Sequence, residues 1–161
     1  MTELIDNLKT RQEMFEHNRL VEQLIQCFIS DLSIRGRVHD ASKLDEPEYT
    51  GFCEVTHKLK KLTYGSPAYF KCLKEMKPFL DHHYACNSHH PEHFENGISG
   101  MTIIDLVEMF ADWWAATKKH EDGDITKSIQ VNQKRFNLPE ELVGIFKNTV
   151  KEFSKRKGFL K

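Results

Sequence analysis

A chain of 161 residues with 39% hydrophobic and 29% charged residues is long enough for one domain with its own core and too short for two ordinary ones. Its formal charge of -1 excludes a general affinity for nucleic acid or anionic membrane, so any anion site has to be local. No apolar run reaches bilayer length, residues Met1 to Asn7 carry acids rather than a basic and apolar leader, and Cys27, Cys53, Cys72 and Cys86 form no CxxC pair; the expectation is a cytoplasmic protein with reduced thiols and no disulfide framework.

In chain order, Met14, Val21, Leu24, Ile25, Phe28 and Leu32 recur every three to four residues and predict a long amphipathic helix with His17 on its inner stripe, ending near Gly36. Val38 to Leu44 reads as a polar turn, and Pro47 suits the first turn of a helix reaching about Leu62. Gly65-Ser66-Pro67 breaks the chain, and Tyr69 to Tyr84 predicts a helix kinked or interrupted at Pro78. Asn87 to Gly100 reads as an ordered loop. Met101 to Thr117 is apolar nearly all the way round, the pattern of a central buried helix. After a turn at Asp122-Gly123-Asp124, Ile125 to Phe136 predicts a short helix. Asn137 is then the expected cap of a final amphipathic helix with Pro139 in its first turn and a basic end, Lys151 to Lys161. No stretch alternates with a period of two, so the expected fold is all-α, a single-domain helical bundle over residues 1–161.

Five of the nine histidines lie between His82 and His93, and the acids have helical spacing as well. Asp105, Glu108 and Asp112 fall on one face of the apolar helix. A buried carboxylate has to be paired, hydrogen-bonded or bound to metal; for Asp105 and Glu108 the competing reading is solvation or a bond to neighbouring backbone. His39 and Asp40 offer nitrogen and oxygen donors together, which suits zinc, manganese, iron, cobalt or nickel better than calcium. Taken alone, Asp40 or Ser42 would be read as a helix cap. His82 and His89 are seven apart, as are His83 and His90, so a continuing helix would stack either pair and a helix stopping near Asn87 would not. His83 and His89 are favoured as inward groups, with His90 next. His57 and His93 read as surface residues and His120 as a helix-dipole partner.

His17, His39-Asp40 and the aspartate of Ala111-Asp112-Trp113 together resemble the H...HD...D pattern of the HD-domain metal-dependent phosphohydrolases. His39-Asp40-Ala41-Ser42-Lys43 is similar to the HD-x-x-K form of that pattern, and His89-His90-Pro91-Glu92 with Asn96-Gly97 to the paired-histidine segment of HD-GYP phosphodiesterases, without the GYP triplet. The chain also resembles a group of small uncharacterised phage and bacterial proteins through Ile104 to Met109 and Asp122-Gly123-Asp124. The resemblance spans residues 10–120 and implies an HD-type bundle on which helices within 125–157 pack. It implies metal ligands His17, His39, Asp40 and Asp112, with His83 and His89 holding a second ion bridged through Asp40 or contacting a phosphate. The cofactor would be one or two ions of Mn, Co, Ni, Zn or Fe.

The implied activity is hydrolysis of a nucleotide or related small phosphate ester. Lys43 and Arg135 would offset phosphate charge, His90 or Glu108 would deliver a proton, and Lys127 and Asn132 would line the pocket. Two other readings stay open, a di-iron HD-fold oxygenase and a non-catalytic protein that binds or sequesters a nucleotide. Extended nucleic acid is not expected without a basic stripe, and a homodimer is compatible with the pattern.

Overall fold

A computed structural model of the chain describes residues 2–59, 67–118, 123–156 and 158. The expected helix end at Leu62, the break at Gly65-Ser66, His120, Asp122 and the tip of the basic terminus lie outside the described residues. Among the described residues there are six α-helices, three short 3-10 turns and no strand, so the chain is all-α as its periodicities require. The helices are α1 (Thr2–Val38), α2 (Glu48–Leu59), α3 (Pro67–Cys86), α4 (Ile103–Thr117), α5 (Ile125–Phe136) and α6 (Glu140–Ser154).

The chain divides into two compact units, residues 1–38 and 39–161. The first is α1 alone. It continues past the expected stop at Gly36 to Val38, since a helical glycine costs only about 1 kcal/mol relative to alanine. A lone helix has no interior, and Met14, Val21, Leu24, Ile25 and Phe28 are exposed along it. Among the described residues no helix is long and apolar enough to cross a membrane.

The second unit is built from two helical layers. In one, α2 packs on α3 around Val55, Cys72 and Met76, with Phe52 and Leu80 at the margin. Gly51 allows this approach, because a Cβ there would collide with the ring of Phe79. α3 runs through Pro78 without the expected interruption; Lys74 and Pro78 are both exposed, so water can take the carbonyl that the proline leaves without a donor.

In the other layer, α4, α5 and α6 enclose Met109, Phe110, Trp113, Trp114, Ile129, Val143 and Phe146. Phe110 stacks on Phe146 with ring centroids 4.6 Å apart, and Trp113 meets Phe146 edge-on. The expectation that α4 is buried all round is corrected, because Ile103 and Val107 face outward. Asn137 does not cap α6. It closes α5 in a left-handed conformation, φ 50°, with its N–H on the carbonyl of Gln133, and α6 starts after Pro139. Asparagine tolerates that conformation better than most side chains. Residues 87–100, with 3-10 turns at Pro91–His93 and Gly97–Gly100, join α3 to α4.

Candidate metal centre

The site grows from three short stretches of backbone. Asp40 sits at φ 56°, ψ 20°, the left-handed region, and its carbonyl accepts from the N–H of Lys43 at 2.9 Å, opening a 3-10 turn over Ala41–Leu44. α3 delivers His82 and His83 in its last turn and stops at Cys86. A tight turn follows, with the N–H of His90 on the carbonyl of Asn87 at 3.2 Å, and it folds His89 and His90 back over His83. The helical stacking of residues seven apart is thus replaced by chain reversal, which brings the same histidines together.

α4 supplies the third wall. Thr102 and Asp105 form a reciprocal capping box, in which Asp105 Oδ2 accepts from the Thr102 N–H at 2.9 Å and Thr102 Oγ1 accepts from the Asp105 N–H at 3.2 Å. Asp105 Oδ1 accepts from Ser88 Oγ at 2.6 Å. Asp105 is therefore buried but bound to its own helix start, and it ties the histidine turn to α4. Glu108 and Asp112 follow at helical spacing and reach the cluster.

Asp40 lies at the junction of two donor sets. Its Oδ1 is 3.3 Å from His83 Nε2 and 3.4 Å from His89 Nε2, and His83 Nε2 is 2.9 Å from His90 Nε2. On the other side His39 Nε2 is 3.4 Å from Asp40 Oδ2 and 3.5 Å from Asp112 Oδ1. Donors at about 2.1 Å from a transition metal are separated by about 3.0 Å at right angles and about 3.4 Å at the tetrahedral angle. The observed edges have those lengths. Asp40 Oδ1 and His89 Nε2 are also buried with no hydrogen-bond partner, an arrangement that is costly unless something else meets those lone pairs.

The imidazoles are aimed by carboxylates behind them. His39 Nδ1 donates to Glu108 Oε1 at 2.8 Å, and His89 Nδ1 lies 3.2 Å from the same oxygen. His83 Nδ1 donates to Glu48 Oε2 at 2.8 Å. A carboxylate can only accept, so each Nδ1 holds a proton and each Nε2 is left facing the centre, the tautomer a metal ligand needs. Glu48 is wholly buried. Ser42 Oγ donates to Glu48 Oε2 at 3.1 Å, and Asn87 Nδ2 donates to Ser42 Oγ at 2.7 Å and to the carbonyl of His83 at 2.8 Å.

Burial, with the imidazoles of His89 and His83 beside it, pushes His90 down to about 3, and burial with the nearby Lys43 ammonium lowers His83. Both stay neutral, as ligands must. His39 is raised to about 9 by its hydrogen bond to Asp112, with burial opposing and Glu108 adding to the rise. Burial would raise Asp40 and Asp112, but His89 and Lys43 hold Asp40 well below the usual carboxylate range, and His39 lowers Asp112. A positive charge on His39 thus stands between two anionic groups in the protein alone.

The structure brings together His39, Asp40, His83, His89, His90 and Asp112. Asp112, on the one face of the apolar helix it shares with Asp105 and Glu108, has a side chain that is a third exposed. His17 is exposed on α1, in the first unit. Lys43 is at the site, its ammonium on Asp40 Oδ2 and over the Phe52 ring at 5.4 Å. Glu108 is placed behind the imidazoles, so its geometry is that of an orienting group and not of the expected proton donor. The expected pocket residues of α5 are engaged elsewhere or exposed: Asn132 donates to the carbonyl of Ser128, Lys127 is exposed, and Arg135 pairs with Glu92 at 2.7 Å. Arg135 also meets Tyr84 Oη at 3.3 Å, and the Tyr84 ring lies 4.9 Å from His90. His57 and His93 are on the surface.

Glu48 is the functional residue that pattern reading missed. The sequence offered only a partial signal, the helical face that Glu48 shares with Gly51 and Val55; that all three are buried is seen only in the fold.

The chain matches the profile of a family of unknown function (DUF5662) over residues 6–155 and belongs to that family. No curated protein and no solved structure matches it.

Proposed function

We propose that this member of the family is a metal-dependent phosphohydrolase acting on a nucleotide or a related small phosphate ester. The observation that carries the reading is the pair of buried, partnerless atoms Asp40 Oδ1 and His89 Nε2, 3.4 Å apart and flanked by His83 and His90. The donor set, imidazole nitrogen with carboxylate oxygen, fits divalent manganese, iron, cobalt, nickel or zinc. His83, His89, His90 and Asp40 would hold one ion, and His39, Asp112 and the other oxygen of Asp40 a second. When bound, such ions supply Lewis acidity toward a phosphoryl oxygen and acidify water.

The protein's own groups divide that work by exposure. His83 and His89 are almost wholly buried, whereas the side chains of His39, Asp112 and Lys43 are 28%, 33% and 39% exposed. A substrate therefore approaches from the His39–Asp112 side, where it meets the Lys43 ammonium. Lys43 offsets phosphate charge there, and Phe52 beneath it fixes the direction from which it acts. Glu48 and Glu108 keep the imidazoles aimed through the reaction.

The nitrogen-rich surroundings of Asp40 Oδ1 favour one second reading, a di-iron oxygenase, because imidazole with carboxylate is also an iron(II) donor set. Elemental analysis of the purified protein beside Asp40→Ala, followed by a nucleotide and phosphate-ester panel with added manganese, cobalt or nickel, tests the hydrolase. A lower metal content together with loss of turnover in the variant is expected. Full metal retention by Asp40→Ala, or a metal-loaded wild type that turns over no phosphate ester, overturns it. Bound iron with oxygen-dependent activity would select the second reading.

A further inference from the structure

The C-terminal end of α3 presents a second set of donors. His82 and Cys86 are four residues apart and share a helical side. Glu48 Oε1 accepts from His82 Nδ1 at 2.8 Å, and Cys86 Sγ lies 3.8 Å from the same nitrogen. Carboxylate oxygen, imidazole nitrogen and thiol sulfur all fall within 4.8 Å of one another. In a tetrahedral zinc site, with about 2.1 Å to nitrogen or oxygen and about 2.3 Å to sulfur, the nitrogen–oxygen edge is about 3.4 Å and the nitrogen–sulfur edge about 3.6 Å. The sulfur lies 3.8 Å from both ring nitrogens, about 0.2 Å beyond that edge. The oxygen edge is drawn in by the proton of the hydrogen bond and opens by a small rotation of the part-exposed His82 ring.

We propose that Glu48, His82 and Cys86 form a separate binding site for a thiophilic divalent ion of the zinc class. Cys86 is a free, exposed thiol, so an ion can enter from solvent, and Glu48, wholly buried, anchors the inner end. On binding, the His82 proton moves from Nδ1 to Nε2 and the Cys86 thiol gives its proton to buffer, leaving thiolate, imidazole and carboxylate on the ion with water in the fourth position. The Asp40 cluster has no sulfur donor, so the two sites differ in kind. They share Glu48, whose Oε2 holds His83 while Oε1 faces His82. The outer site does not depend on metal being bound at Asp40.

Cobalt(II) titration of the reduced, chelator-treated full chain tests the assignment, because sulfur ligation gives a thiolate-to-cobalt charge-transfer band in the near ultraviolet. The band is expected in the wild type and in Asp40→Ala, to be lost in Cys86→Ser and to need at least about tenfold more cobalt in His82→Ala. No band in the wild type, or an unchanged band in Cys86→Ser, overturns the site. A second measurement uses only the wild-type protein: zinc should slow alkylation of Cys86 by iodoacetamide at least about tenfold, read by peptide mass spectrometry. Equal rates with and without zinc overturn it as well.

Discussion

Replacing Glu48 by glutamine changes one atom of a wholly buried side chain and separates orientation from bulk. Both oxygens of Glu48 are in use, Oε1 by His82 at 2.8 Å and Oε2 by His83 at 2.8 Å and Ser42 at 3.1 Å. An amide keeps one acceptor and turns an NH2 toward a second donor. If the nitrogen faces His83, that ring has to move its proton to Nε2, where it blocks the lone pair aimed at Asp40. If it faces His82, a buried donor is left opposed by another. Loss of an orienting partner of this kind weakens metal binding by about 10- to 100-fold, or about 1.4 to 2.8 kcal/mol. The unsatisfied donor lowers the stability of the metal-free protein by about 1–3 kcal/mol.

Manganese is the probe, since its preference for oxygen and nitrogen over sulfur directs it to the Asp40 cluster, and calorimetric titration gives the affinity. The sign of the acid dependence is fixed too. Burial would raise Glu48, but hydrogen bonds from His82, Ser42 and His83 hold it below its ordinary 4.5. Its contribution to stability is therefore present above that value and lost as the pH falls below it. The stability gap between wild type and Glu48→Gln should close in acid. Glu108→Gln is the comparison, because the contacts to His39 and His89 fall on a single oxygen that an amide retains; its manganese affinity should fall less. Equal manganese affinity and equal stability in wild type and Glu48→Gln would together refute the orienting role.

In the metal-free protein the raised value of His39, about 9, means that its stabilising charge is complete below the ordinary 6.5 and lost as the pH rises through about 9. Metal binding between those limits should release about one proton from this ring, seen as a dependence of the binding heat on buffer ionisation enthalpy, and His39→Gln should abolish it. Gly51→Ala drives a methyl group into the Phe79 ring, and overpacking of that kind costs about 1–3 kcal/mol; an unchanged thermal midpoint would contradict the packing of α2 on α3. Ile129, fully buried among α4, α5 and α6, should cost about 2–5 kcal/mol when cut to alanine, read as a lower denaturant midpoint with unchanged slope.

The local patterns in the sequence were sufficient for the helices. The three-to-four-residue periodicity and the proline near the start of α2 mark elements whose limits match closely, since such signals act over one or two turns of backbone. The same local information misjudged Asn137, whose side chain suits either end of a helix, and at Pro78 left open a kink or a break, of which the break does not occur. The His39-Asp40 pair, the His83–His90 group and Asp112 were also recognisable, because imidazoles and carboxylates at helical spacing are conspicuous in an apolar setting. Which of them meet was decided only by tertiary structure: the turn after Cys86 reverses the chain, and Asp105 pins Ser88 beside it. Glu48 acquired its partners only there, because packing against α3 withdrew its carboxylate from water and left His82, His83 and Ser42 to meet it. Periodicity along one helix records which side is covered, but the identity of the covering group depends on contacts between residues distant in sequence.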